Sequence, residues 1–156
     1  MTGVAVETSL DIAQAAGVLA RLSAAEMGRI AQGIGDLVED QTKRRIADDK
    51  TAPDGTPWAD WSESYRESMA RPGRTNPRSL LVGSPSHLLH SIQHFTQGDS
   101  VRVGTPLIYG AIHQFGGDTA QGHAPIPARP YLGISASDAA EISDLVIDHL
   151  GVLIHE

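Results

Sequence analysis

The sequence predicts an α+β domain, with a long N-terminal helix and a C-terminal helix packed on a small antiparallel sheet. Three observations predict it. Met27, Ile30, Ile34, Leu37, Val38 and Ile46 fall at helical spacings and form one apolar stripe. Ala140, Ile142, Leu145, Val146, Leu150 and Leu153 form a second stripe near the end of the chain. Between them, SVRVGT alternates Val101 and Val103 against Arg102, the period of a strand. Two amphipathic helices and a short alternating segment bury their apolar faces by stacking helix on sheet.

Each element has its own local reason. Residues 8–21 place Leu10, Ala13, Val18 and Leu19 on a rough helical period. Ser23 and Glu26 have the spacing of a capping box, so the main helix starts there and runs to about Asp49. Lys43, Arg44 and Arg45 suit the negative end of its dipole, while Gly33 and Gly35 weaken it locally. Pro53-Asp54-Gly55 is a turn. Ser62 caps a short helix through Tyr65 and Met69. ARPGRTNPRS is a breaker-rich loop, part of a mobile stretch at about 66–84. PSHLLHSIQHF reads as a helix with Leu88, Leu89, Ile92 and Phe95 on one face, followed by a turn at QGD.

Residues 109–117, YGAIHQFGG, allow two periods. Ile108, Ala111, Ile112 and Phe115 fit a helix, and Tyr109, Ala111, His113 and Phe115 fit a strand. The helix is the better reading, with Ile108, Ile112 and Phe115 entering the core and Gly116-Gly117 stopping it. A second mobile loop is expected at 116–129. YLGIS then looks like a short strand, and Ser135 or Ser137 caps the last helix.

The chain of 156 residues suits a single domain, 1–156. It holds no cysteine, which excludes disulfides, thiolate zinc sites and cysteine nucleophiles. MTGVAVETSL has no signal-peptide pattern, and no apolar run approaches the ~20 residues of a membrane span. The net charge of -7 is uneven, with five acids and no Lys or Arg in residues 131–156. That balance does not suit a DNA-coating protein. It does suit a conduit through which DNA slides without sticking.

Candidate chemistry is sparse. His113 as a general base needs a nucleophile and an orienting carboxylate, and no G-x-S-x-G elbow is present. His87, His90 and His94 would share one face of the expected helix, which makes them the candidate metal ligands. The same spacing also arises on a solvated face. Arg71, Arg74 and Arg78 could meet acids of a neighbouring copy, stay solvated, or touch DNA phosphates. Trp58 and Trp61 suit either a core or a subunit interface. There is no phosphate-binding loop, dinucleotide fingerprint or H-E-x-x-H, so neither an enzyme nor a cofactor is expected.

Three segments together, GTPWADWSESY (55–65), YGAIHQFGG (109–117) and IPARPYLGIS (126–135), resemble the phage virion morphogenesis family, the tail-completion group of Mu-like and related tailed phages. One stretch departs from the family pattern: LVGSPSHLLHSI carries Pro85 where a glycine is usual. The resemblance implies a virion protein without catalysis that completes the tail and joins it to the head. It implies a homo-oligomeric ring, most simply a hexamer, at the head–tail junction or the head-proximal tail end. Its partners would be neighbouring neck and tail proteins, with DNA passing through unread and no membrane involved. Tyr131 and Leu132 would then be core residues of the signature, and His113 and Gln114 would hydrogen-bond locally or across an interface. Arg129, held extended by Pro130, is the expected structural ion-pair residue. A transient DNA-binding assembly factor and a small metal-dependent hydrolase are the alternatives.

Overall fold

The computed structural model describes residues 4–7, 22–71, 80–82, 87–118 and 125–154. In chain order the elements are β1 (Val4–Glu7), α1 (Ala24–Arg44), α2 (Glu63–Met69), α3 (His87–Ser91), β2 (Gln93–Gln97), β3 (Ser100–Thr105), α4 (Gly110–Phe115) and α5 (Ala136–Ile154). The strands form one antiparallel sheet in the order β1-β3-β2. The α+β architecture is therefore the expected one. Among the described residues no helix is long and apolar enough to cross a membrane.

α1 begins as its sequence dictates. The Ser23 hydroxyl accepts from the Glu26 N–H at 3.3 Å, and the Glu26 carboxylate accepts from the Ser23 N–H at 2.6 Å. Ile30, Ile34 and Val38 are buried and form the core with Leu88, Ile92, Val103, Tyr131 and Ile142. Past Arg44 the helix widens into a π-helical turn, Arg45–Asp49, that ends at Lys50 in the left-handed region (φ 56°). The Lys50 ammonium stays with the chain there, donating to the carbonyls of Ile46 and Leu80.

α5 starts on the reciprocal cap of Ser135 and Asp138. The Ser135 N–H donates to the Asp138 carboxylate at 2.8 Å, and the Asp138 N–H donates to the Ser135 hydroxyl at 3.0 Å. The same carboxylate pairs with Arg45, and both side chains are buried. Arg45 also donates to the carbonyls of Tyr131 at 2.9 Å and Gly133 at 3.1 Å. Arg44 and Gln41 reach Glu141 beside it. The end of α1 and the start of α5 are thus joined through one guanidinium. Ile142 is fully buried, Leu145, Val146 and Leu150 partly, and Ala140 is exposed.

Several sequence expectations need correction. Residues 85–95 do not form one helix: α3 stops at Ser91 and the chain enters β2 at Gln93. The turn at Gly98 (φ 64°) folds β2 onto β3, and this ladder takes Phe95 to the surface, 64% exposed. The strand expected at YLGIS does not form: the chain bends at Leu132 and Gly133 and pairs with no strand among the described residues. The strand Val4–Glu7 was not expected. The helix expected at residues 8–21 lies outside the described residues, as do 72–79, 83–84 and 119–124 of the two expected loops.

Burial pushes the Asp138 carboxyl up, but its bonds from Ser135 and Arg45 outweigh this and hold it below the usual aspartate range. A depressed carboxyl adds stability above its unfolded pKa and loses it as pH falls through the folded value. Asp138→Asn leaves Arg45 charged and buried, so the expected loss is about 3–5 kcal/mol. Urea unfolding at neutral pH measures it. The same titration repeated towards acid should show the gap between wild type and variant closing.

Candidate functional site

The three signature segments meet in one place and bond to one another. Trp58 is buried, and its indole N–H donates to the Pro130 carbonyl at 3.0 Å. Arg129 is buried beside it. Its guanidinium donates to the carbonyls of Ala59 (2.9 Å) and Asp60 (3.2 Å), and its own N–H donates to the His113 carbonyl (2.7 Å). Among the described residues the expected ion pair is therefore not formed. The partners of Arg129 are main-chain oxygens, while the Asp60 carboxylate pairs with exposed Arg66 at 2.7 Å.

Gln114 closes the join. Its amide oxygen accepts from the N–H groups of both Tyr131 and Leu132 at 3.0 Å, and its amide nitrogen donates to the Leu132 carbonyl at 3.2 Å. One buried side chain thus satisfies three backbone groups of the bent segment 131–132. Burying these backbone groups without partners would be costly. Tyr131, also buried, returns a bond from its hydroxyl to the Gly110 carbonyl at 3.0 Å. Burial pushes its phenol up to about 12, so it donates at all ordinary pH.

The glycines of the motif make the approach possible. A Cβ on Gly110 would stand 2.5 Å from Thr105 and 2.8 Å from the Tyr131 hydroxyl. Gly116 (φ 71°) ends α4, and a Cβ there would meet the Ala128 nitrogen at 2.8 Å. Gly117 and Ile126 then bridge, closing the intervening loop.

The remaining expected residues divide. Tyr131 and Leu132 are buried. Ile108 and Phe115 are 68% and 67% exposed, which corrects their assignment to the core, and Ile112 is half-buried. The reason is that α4 buries Gly110 and Gln114 instead, so its hydrogen-bonding side faces inward. Trp61 is half-exposed and tilts against Tyr65 at 5.9 Å. Arg71 is exposed, and Arg74 and Arg78 lie outside the described residues.

The histidines do not form a metal face. His87 and His90 are exposed on α3, whereas His94 is on β2 against α1. Among the described residues no group of three or more His, Asp or Glu is placed to hold a metal ion. His113 is pushed below the usual histidine range by burial and by Arg129, so it is neutral at pH 7. Its buried Nδ1 has no partner among the described residues, and no carboxylate orients it as a general base requires.

Sequence reasoning missed the Arg45–Asp138 pair. Arg45 was read with Lys43 and Arg44 as a dipole partner, yet it lies four residues beyond buried Gln41, on the inward face. That position was the available signal.

Together the fold and these bonds define a class of small α+β domain whose motif residues tie the chain to itself. The comparisons with known proteins specify it further. The chain belongs to the phage virion morphogenesis family, which matches residues 8–151. It is 37% identical to the putative capsid assembly protein G of Escherichia phage Mu over 69% of this chain and 67% of that one. It is 27% identical to the tail completion protein S of Escherichia phage P2 over 86% and 91% of the two chains. A Mu-like prophage G protein of Haemophilus influenzae is 39% identical over 44% of this chain and 50% of its own. No solved structure matches significantly.

Gln114→Leu would leave two N–H groups and a carbonyl unpaired. At about 1–3 kcal/mol for each unsatisfied buried group, the expected loss is about 3 kcal/mol or more. Thermal unfolding gives the size. Hydrogen exchange at Tyr131 and Leu132 localises it, since those amides should lose protection before the α1–α5 contact does.

Proposed function

We propose that this chain is a non-enzymatic structural virion protein that completes the phage tail and joins it to the head. In this reading copies of the chain form a closed ring, most simply a hexamer, around the DNA channel. Neighbouring neck and tail proteins seat against it, and DNA passes without being read. The observation that carries the reading is the likeness to tail completion protein S across nearly the whole of both chains. The use of every motif segment in internal bonding supports it, because the motifs hold shape and leave no side chains assembled for a reaction.

Two features of the surface suit a ring. Ile108 and Phe115 are exposed at α4, and Ile147 is exposed on α5. They belong to different elements, and a head-to-tail contact between copies would use two different surfaces. The outer face of α5 also carries Asp144 and Asp148, and the 131–156 segment has no Lys or Arg. That excess of acid would keep DNA from adhering, or would meet Arg71, Arg74 and Arg78 of a neighbouring copy.

Cryo-electron microscopy of purified particles tests the reading. Density for this chain as a closed ring at the head–tail junction is expected. Mature particles that lack the chain would instead favour a transient assembly factor. The double substitution Ile108→Ser with Phe115→Ser should change stability by no more than about 0.5 kcal/mol, since both side chains are exposed. It should sharply lower the yield of joined particles in a complementation assay.

A further inference from the structure

β2 is an outer strand, and among the described residues it pairs with β3 alone. Its register fixes which backbone groups face outward. Gln97 and Ser100 flank the two-residue turn and exchange hydrogen bonds, so Phe95 and Gln93 do the same further along. His94 and Thr96 lie between them and point N–H and C=O away from β3. Such a row is a template for another strand. The usual protections are missing from its sequence, because QHFTQ has no proline, lysine, arginine or acid.

The protection comes from α1 instead. Glu39 accepts the outward N–H of His94 at 3.0 Å and meets the ring Nδ1 at 2.7 Å. Lys43, one turn on, holds the other oxygen of the same carboxylate. Gln32 flanks the other side, 2.8 Å from the ring Nε2, and accepts from the Thr96 hydroxyl at 3.3 Å. Gly35 makes the approach possible, since a Cβ there would stand 2.3 Å from the His94 ring.

We propose that Glu39 caps the open edge of the sheet and closes β2 against strand addition by a second copy of this chain. An incoming strand needs the N–H groups of both His94 and Thr96, and the carboxylate occupies the first. It also repels the carbonyl that would take that place. A second copy is the partner that fits an uncapped edge, because the edge is self-complementary. A two-fold axis at Phe95 pairs His94 of each copy with Thr96 of the other, and sets the two exposed Phe95 rings opposite each other. The proposal rests on the hairpin geometry and stands apart from the ring reading.

The test compares full-length wild type, Glu39→Ala and Glu39→Gln by light scattering across a concentration series. Glu39→Ala is expected to add a species of about twice the wild-type mass, growing with concentration, as two-fold pairing requires. Glu39→Gln keeps an acceptor for the His94 N–H and should behave as wild type. Adding Thr96→Pro to Glu39→Ala removes an outward donor that edge strands can spare, and should abolish the doubling. A Glu39→Ala protein with wild-type mass overturns the proposal, as does doubling that survives Thr96→Pro. Hydrogen exchange on the wild type gives an answer even if the alanine variant does not fold. His94 should be protected and Thr96 not, and equal exchange at the two overturns the idea.

Discussion

Arg45 is the point on which the rest of the fold is hung. Its guanidinium binds two carbonyls of the Tyr131–Gly133 segment and the carboxylate that starts α5. A charge this deep is costly unless each of its donors is matched. The matching forces three parts of the chain into one arrangement. The end of α1, the Tyr131–Gly133 segment and the first turn of α5 cannot shift separately without exposing that cost. Gln114 then binds other backbone groups of the same segment, the N–H groups of Tyr131 and Leu132 and the Leu132 carbonyl.

This arrangement explains what the motif segments are for. Trp58, Gln114, Arg129 and Tyr131 look like recognition residues in a sequence, because each is large and polar at one end. In the structure their polar atoms are directed at backbone groups of the same chain. The exposed large apolar side chains are other residues, such as Ile108, Phe115 and Ile147. The motif segments of this chain thus serve its internal framework.

Much of the fold was legible because its signals are local. Ser23 with Glu26, Ser62, the Pro53-Asp54-Gly55 turn and Ser135 act within a few residues, and each does what its spacing announces. The misread parts depend on distant partners. The helix expected through Phe95 gives way to a strand because β3 offers a ladder that no local window contains. Ile108 and Phe115 were assigned inward on period alone, whereas the inward side of α4 is chosen by the bonds Gln114 makes 17 and 18 residues away. The Arg45–Asp138 pair joins residues 93 apart. The three motif segments are far apart in sequence, and their convergence became visible only in three dimensions.

The two tryptophans sit in opposite surroundings at this join. Trp58 is buried with its N–H bonded to Pro130, and Trp61 is half-exposed against Tyr65. They are the chain's only tryptophans. The molecule therefore carries its own pair of optical reporters, one inside the framework and one at its rim. Loosening of the framework would shift the emission of the first, and a change in exposure at α2 would shift that of the second. Unfolding of the framework can be followed with light alone, on the native chain and without any attached dye.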